Sequence, residues 1–214
     1  LITNVTIKNN EATGNGGGIE MVYFSNPILK HVIIADNIAG EWAGGMNIYY
    51  SEPTFLDVSI IDNTSRGGGG GLGITGSDPE ITNLKVTGNE AEGWGGGIGL
   101  WSSNVILTNV IISNNVALQG GGGIDIANCS NVEMTNVTIS NNVSQGSGGG
   151  ITAWNSNINL TEDSNIIDNE AKFQGGGILS EASTITLANI NIDGNSANTG
   201  SGGGMMSWHS SLTA

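Results

Sequence analysis

Eight asparagines return along this 214-residue chain at intervals of 26 or 27 residues: Asn10, Asn37, Asn63, Asn89, Asn115, Asn142, Asn169 and Asn195. Neighbouring columns repeat with them. Three positions earlier stand Ile7, Ile34, Ile60, Val86, Ile112, Ile139, Ile166 and Ile192. Two positions later a small residue recurs, as in Ala12, Ala39 and Ser65. Nine or ten positions later an apolar residue follows a glycine pair: Ile19, Met46, Leu72, Ile98, Ile124, Ile151, Ile178 and Met205. A self-similar period of this length constrains the fold more than any other feature. Each unit is too small to bury its own apolar face, so neighbouring units must stack.

The local pattern selects the kind of stack. "NVTI", "HVII", "DVSI" and "NVII" alternate with period two and are rich in β-branched residues. "GGGIEM", "GGGIGL" and "GGGIDI" open a second alternating strand, and "SNPILK" and "SNVILT" suggest a third. No window sustains a 3.6-residue period, and glycine interrupts every unit. The expected fold is all-β: a right-handed, single-stranded parallel β-helix of about eight coils, each coil rising about 4.8 Å. It is read as one domain over residues 1–214. Because Leu1 begins inside a repeat, the domain is expected to be a piece of a longer chain.

The columns take on roles in such a stack. The anchor asparagines form an inward ladder. A second polar column, Asn4, His31, Asp57, Asn83, Asn109, Asn136, Asp163 and Asn189, is expected to form another hydrogen-bonded ladder. On that reading the sequons at Asn4 and Asn136 face inward and are not glycosylated. A serine column, including Ser51, Ser77, Ser103, Ser156, Ser183 and Ser210, passes close to Cys129, which reads as a small buried substitute.

The pattern of "NVTISNN" (Asn136 to Asn142) with recurring "GGGI" resembles the right-handed parallel β-helix repeats of the pectin-lyase-like superfamily. It is most similar to the polymorphic outer-membrane-protein type, whose repeats carry a Gly-Gly-Ala box and a Phe-x-x-Asn box. Here Gly17-Gly18-Ile19 through Gly203-Gly204-Met205 occupy the first box without its alanine. Ile139 and Asn142, with their equivalents, occupy the second, Ile or Val replacing Phe. The resemblance covers the whole chain and implies secretion to a cell surface or beyond. That superfamily holds polysaccharide lyases and hydrolases, adhesins and surface proteins, so it implies no single activity.

Charge narrows the partners. Nineteen acids against five bases give −14, with a single arginine, which excludes nucleic acid as a partner. No apolar run is long enough to span a bilayer, so no membrane insertion is expected of this segment. One cysteine permits neither an intrachain disulfide nor a cysteine-based zinc site.

Catalytic candidates are few. Asp36 and Asp62 share a column in adjacent coils, about 5 Å apart, with Arg66 and Lys85 the bases nearby. They could serve a lyase-like reaction or hold Ca²⁺ as a cofactor. The competing reading is that both aspartates are turn formers at a position that is Asn in Asn9, Asn114 and Asn141, and it is favoured. The glycine–histidine–glycine and Arg-x-Lys motifs of the superfamily's hydrolases do not occur. His31 beside Asp57 reads as a ladder pair rather than a catalytic dyad.

The aromatic residues break the eightfold regularity. Three positions after the box apolar residue run Val22, Tyr49, Thr75, Trp101, Ala127, Trp154, Glu181 and Trp208, with aromatics in every second coil. Alternation points this column outward, its rings about 9.6 Å apart. Trp42 and Trp94 form a shorter column four positions before the box. Tyr49, Trp101, Trp154, Trp208, Trp42 and Trp94 are therefore the candidate interface, facing other protein chains or polysaccharide. No polar set is evident beside the rings, which favours assembly over glycan binding. The expected role is an extracellular or cell-surface structural and adhesive module, in a filament or surface assembly. Polysaccharide binding or degradation is the alternative, with an enzyme less favoured.

Overall fold

The computed structural model describes residues 1–213. Like strands stack in parallel from coil to coil, forming a solenoid of three sheets, with no helix among the described residues. Sheet A is built from long strands such as Ile28–Ala35 and Thr54–Ile61. Sheet B holds two-residue strands such as Ile38–Ala39 and Thr64–Ser65. Sheet C holds four-residue strands such as Met46–Tyr49 and Leu72–Thr75. Sheets B and C each count eight strands, one per coil.

The division of each coil differs from the sequence expectation. The segments "SNPILK" and "HVII" do not form separate strands; in the second coil they fuse into Ile28–Ala35, bent at His31. The third strand is instead the short pair that follows each anchor asparagine. Two residues carry too little periodicity to announce themselves as a strand.

Corners come from left-handed residues. The second coil turns at His31, Asp36, Ala43 and Tyr50, all with φ between 47° and 58°. The first of these corners recurs as Asn4, His31, Asp57, Asn83, Asn109, Asn136, Asp163 and Asn189. Asn and Asp tolerate this conformation best among residues with a Cβ. It also shifts the phase of the strand: Lys30 and His31 are both exposed, between buried Leu29 and Val32. That shift overturns one expectation. Asn4 and Asn136 face solvent, not the interior, and their column is an external ladder in which Asn136 Nδ2 donates to Asn109 Oδ1 at 2.8 Å.

Inside, Leu29, Ile34, Phe55, Ile98 and Leu100 and their equivalents form one continuous apolar column. The anchor asparagines edge it. Each donates through Nδ2 to Oδ1 of the next coil at 2.9–3.0 Å, from Asn10 to Asn195. The same Oδ1 accepts the backbone N–H of the preceding anchor, as in Asn63 N–H to Asn89 Oδ1 at 3.0 Å. The box glycines leave room at this seam: a Cβ at Gly70 would overlap the carbonyls of Glu90 and Gly96. Serines form the second internal ladder, and Cys129 takes one of its rungs, its N–H donating to Ser156 Oγ at 3.1 Å.

Candidate functional site

The outer surface of sheet C carries the aromatic residues. Val22, Tyr49, Thr75, Trp101, Ala127, Trp154, Glu181 and Trp208 pair in register across adjacent coils. Trp42 and Trp94 stand in the turn that enters the sheet, in line with Gly68 and Gly120. Trp154 and Trp208 are 48% and 45% exposed, and Trp94 is 43% exposed, whereas Tyr49 and Trp101 are half-buried.

An indole is wider than the coil spacing, and around Trp42, Trp94 and Trp101 the intervening positions are small, Gly68, Gly120, Thr75 and Ala127, while Glu181 stands between Trp154 and Trp208. A Cβ at Gly68 would stand 2.7 Å from the Trp42 ring and 3.0 Å from the Trp101 ring. The Trp101 indole folds back over its own strand, where a Cβ at Gly99 would overlap it. There it meets Trp42 edge to face, with centroids 4.9 Å apart. This pair forms a wall between two grooves.

The first groove is lined by Asn15, Trp42, Asn47, Tyr49, Thr75 and Trp101. The second runs on through Trp94, Trp101, Asp125, Thr152, Trp154 and Glu181. Polar groups thus do converge beside the rings, correcting the expectation from sequence. Asn47, Asp125 and Thr152 come from the column between the box residue and the aromatic column, Thr75 and Glu181 from the aromatic column itself. Alternation places the column of Asn47 and Asp125 outward too. Its residues vary in type from coil to coil, so the sequence shows no repeat there.

Asp125 is the unusual member. It projects from the strand Ile124–Ala127 and lines the groove with Trp94, Trp101 and Trp154, yet only 6% of it is exposed. Burial pushes its carboxyl up to about 7, and neither a hydrogen bond nor a cation among the described residues opposes that push.

A scan of protein-family models matches a right-handed β-helix region over residues 2–91 and 70–213. The chain belongs to the right-handed β-helix family. Comparison with curated proteins and with solved structures gave no match.

Elsewhere on this β-helix the sequence candidates for chemistry lie apart from the grooves. Asp36 and Asp62 are exposed corner residues with φ of 53° and 52°, in a column with Asn9, Gly88 and Asn114. Arg66 is exposed, and no ion pair joins it to either aspartate among the described residues. Among those residues no group of three or more His, Cys, Asp and Glu side chains is placed to hold a metal. His31 Nδ1 lies 3.4 Å from Asp57 Oδ2, with both side chains about half exposed. Asp57 also accepts from Asn83 Nδ2 at 3.0 Å, so the pair is part of the external ladder. Cys129 is buried, and burial raises its thiol above the ordinary range.

Proposed function

We propose that the chain is an extracellular or cell-surface adhesive module that binds polysaccharide along the outer face of sheet C. The observation that carries this reading is the pair of aromatic grooves floored by a parallel sheet. Trp42, Trp94, Trp101 and Trp154 present rings partly open to solvent, and Asn15, Asn47, Thr75 and Thr152 stand among them. Sugar rings carry apolar C–H faces and a hydroxyl rim, so a site for them needs both aromatic surface and side-chain donors and acceptors. The tryptophan column repeats every second coil, about 9.6 Å, comparable to a disaccharide repeat. A long glycan laid along the solenoid would meet the same feature again at each step.

The rigid stack supplies the structural half of the role, since it holds the rings in register without moving parts. No catalytic step is part of this reading. Secretion follows from it, because such polysaccharides are met outside the cell.

A glycan array probed with the wild-type chain and with Trp101→Ala and Trp154→Ala is the test. Binding to a limited set of glycans, weakened about tenfold or more by each substitution, is expected. Filaments in microscopy with no glycan bound would instead support packing of protein chains along this face.

A further inference from the structure

The second groove is more than an aromatic strip. Its floor holds a carboxyl group that a glycan hydroxyl does not require. Asp125 is almost wholly buried, aimed into the groove and unpartnered, in register between Gly99 and Thr152 of the adjacent strands. The flanking strands bring Trp101 and Trp154, and the turn above brings Trp94. Glu181 stands on the same wall two coils beyond Asp125, and no Lys, Arg or His lines either groove. Indole faces and a carboxylate together form the chemistry that captures an organic cation. The ring quadrupole attracts positive charge, and the carboxylate neutralises it.

We propose that this groove is a binding site for an organic ammonium group, held between Trp94, Trp101 and Trp154 against Asp125. The source of that ammonium is an amino sugar of the bound polysaccharide, a step that rests on the glycan reading above. The net charge of −14 favours a cationic polymer over an anionic one, since uronic-acid chains would meet only like charge here.

The groups that set the pH response can be named. Glu181 is the other titratable group lining the groove, and Cys129 lies on the turn that follows the Asp125 strand. The residues facing Asp125 from the two adjacent strands, Gly99, Trp101, Thr152 and Trp154, do not titrate. Asp125 takes up charge as pH rises through about 7. A permanently charged ammonium should therefore bind more tightly at pH 8 than at pH 5.

Tetramethylammonium, its neutral isostere neopentane carried as neopentyl alcohol, and oligomers of glucosamine and of N-acetylglucosamine are the probes. Tryptophan fluorescence and calorimetry are the readouts. At pH 8 tetramethylammonium is expected to bind about tenfold or more tightly than the neutral isostere. That preference should shrink at pH 5 and in Asp125→Asn, where only the ring attraction is left, while Glu181→Gln lowers it less. Equal affinity for the two probes, or a preference unchanged in Asp125→Asn, overturns the site. Circular dichroism of Asp125→Asn guards against unfolding, since the near-isosteric amide removes a burial penalty. If N-acetylglucosamine oligomers bind as well as glucosamine oligomers and neither responds to Asp125→Asn, the glycan reading stands and the ammonium site fails. If tetramethylammonium binds through Asp125 but no oligosaccharide binds, the ammonium site stands and the glycan reading fails.

Discussion

The asparagine ladder and the tryptophan column are both stacks of one residue type along the same solenoid, yet they obey different rules. Asn10 to Asn195 appear in every coil, each amide spending its donor and acceptor on its neighbours. The tryptophans skip every second coil and leave their rings partly open to solvent. A position that serves the coil itself must be filled in every coil. A position free to alternate is not required by the stack, and at Gly68 the room a side chain would need is already taken by the Trp42 and Trp101 rings. The contrast separates what holds this molecule together from what it offers to others.

The ladder should break most expensively. Asn89 Nδ2 donates to Asn115 Oδ1, Ile60 O and Thr87 O, and its Oδ1 accepts both Asn63 N–H and Asn63 Nδ2. Asn89→Ala leaves several buried groups unpaired, at roughly 1–3 kcal/mol each when no water reaches them. A loss of about 5 kcal/mol is expected in urea unfolding. Asn83, equally regular but on the external ladder, supplies the control. Its φ of 56° suits glycine, and its bond to Asp57 is in solvent. Asn83→Gly should cost under about 0.5 kcal/mol. Similar losses at the two sites would mean that the inner ladder is no more than a surface pattern turned inward.

Asp125 supplies the second break, on the aromatic side. Its folded carboxyl titrates near 7 against 3.8 for the free group. Between those values the folded chain binds the proton that the unfolded chain has released, so stability falls as pH rises through this window. About 3 kcal/mol should be lost between pH 5 and pH 8, of the roughly 4 kcal/mol that the full shift represents. Thermal melts of wild type against Asp125→Asn measure it. The variant should show a flatter profile and a higher melting temperature at pH 8. Parallel profiles would show that Asp125 is wetter than the structure has it. A bound ammonium should remove the same penalty, which links this measurement to the groove's ligand.

Much of this contrast is legible in the sequence. Asn37, Ile34 and Met46 sit in columns that no other arrangement brings into register, and Trp101 and Trp154 declare their two-coil period by spacing alone. What sequence conceals is geometry set by single dihedral angles and by cover. Asn136 reads as one more ladder amide, and only its left-handed φ of 52° turns it outward. The strand Ile38–Ala39 is too short to show a period. Asp125 looks like any surface acid in the sequence, and its burial in the groove beside Trp101 and Trp154 comes from the fold. Grouping outward residues by face, not by column, would have set it between Trp101 and Trp154.

Gly99 tests how tightly the two systems are coupled. The Trp101 indole occupies the space that a Cβ at Gly99 would take, so Gly99→Ala must lift the ring from its place against Trp42. The ring lies on the outer face, and the ladder and core beneath are untouched. The expected stability cost is about 1–2 kcal/mol, while glycan or ammonium affinity should drop about tenfold. A variant that loses stability but keeps affinity would show that the ring's position does not govern binding.

The smallest effect is expected at Cys129, where a functional-looking residue occupies a ladder position. Its Sγ lies 3.4 Å from Ala127 O and 3.7 Å from Leu100 O, the contacts a serine hydroxyl makes in the adjacent rungs, where Ser156 Oγ donates to Trp154 O at 2.8 Å. A hydroxyl hydrogen-bonds these carbonyls better than a thiol does, and it fills slightly less space. The gain and the loss oppose one another, so Cys129→Ser should shift stability by less than about 1 kcal/mol. Cys129→Val tests the same position from the other side. It keeps the volume but leaves the Ala127 and Leu100 carbonyls without that donor and adds a branched Cβ to a tight turn, so it should be the less stable of the two. The reverse order would assign Cys129 to the apolar core and interrupt the serine ladder between Ser103 and Ser156. Neither variant should alter binding at the tryptophan face, because the rung faces inward while the rings face out.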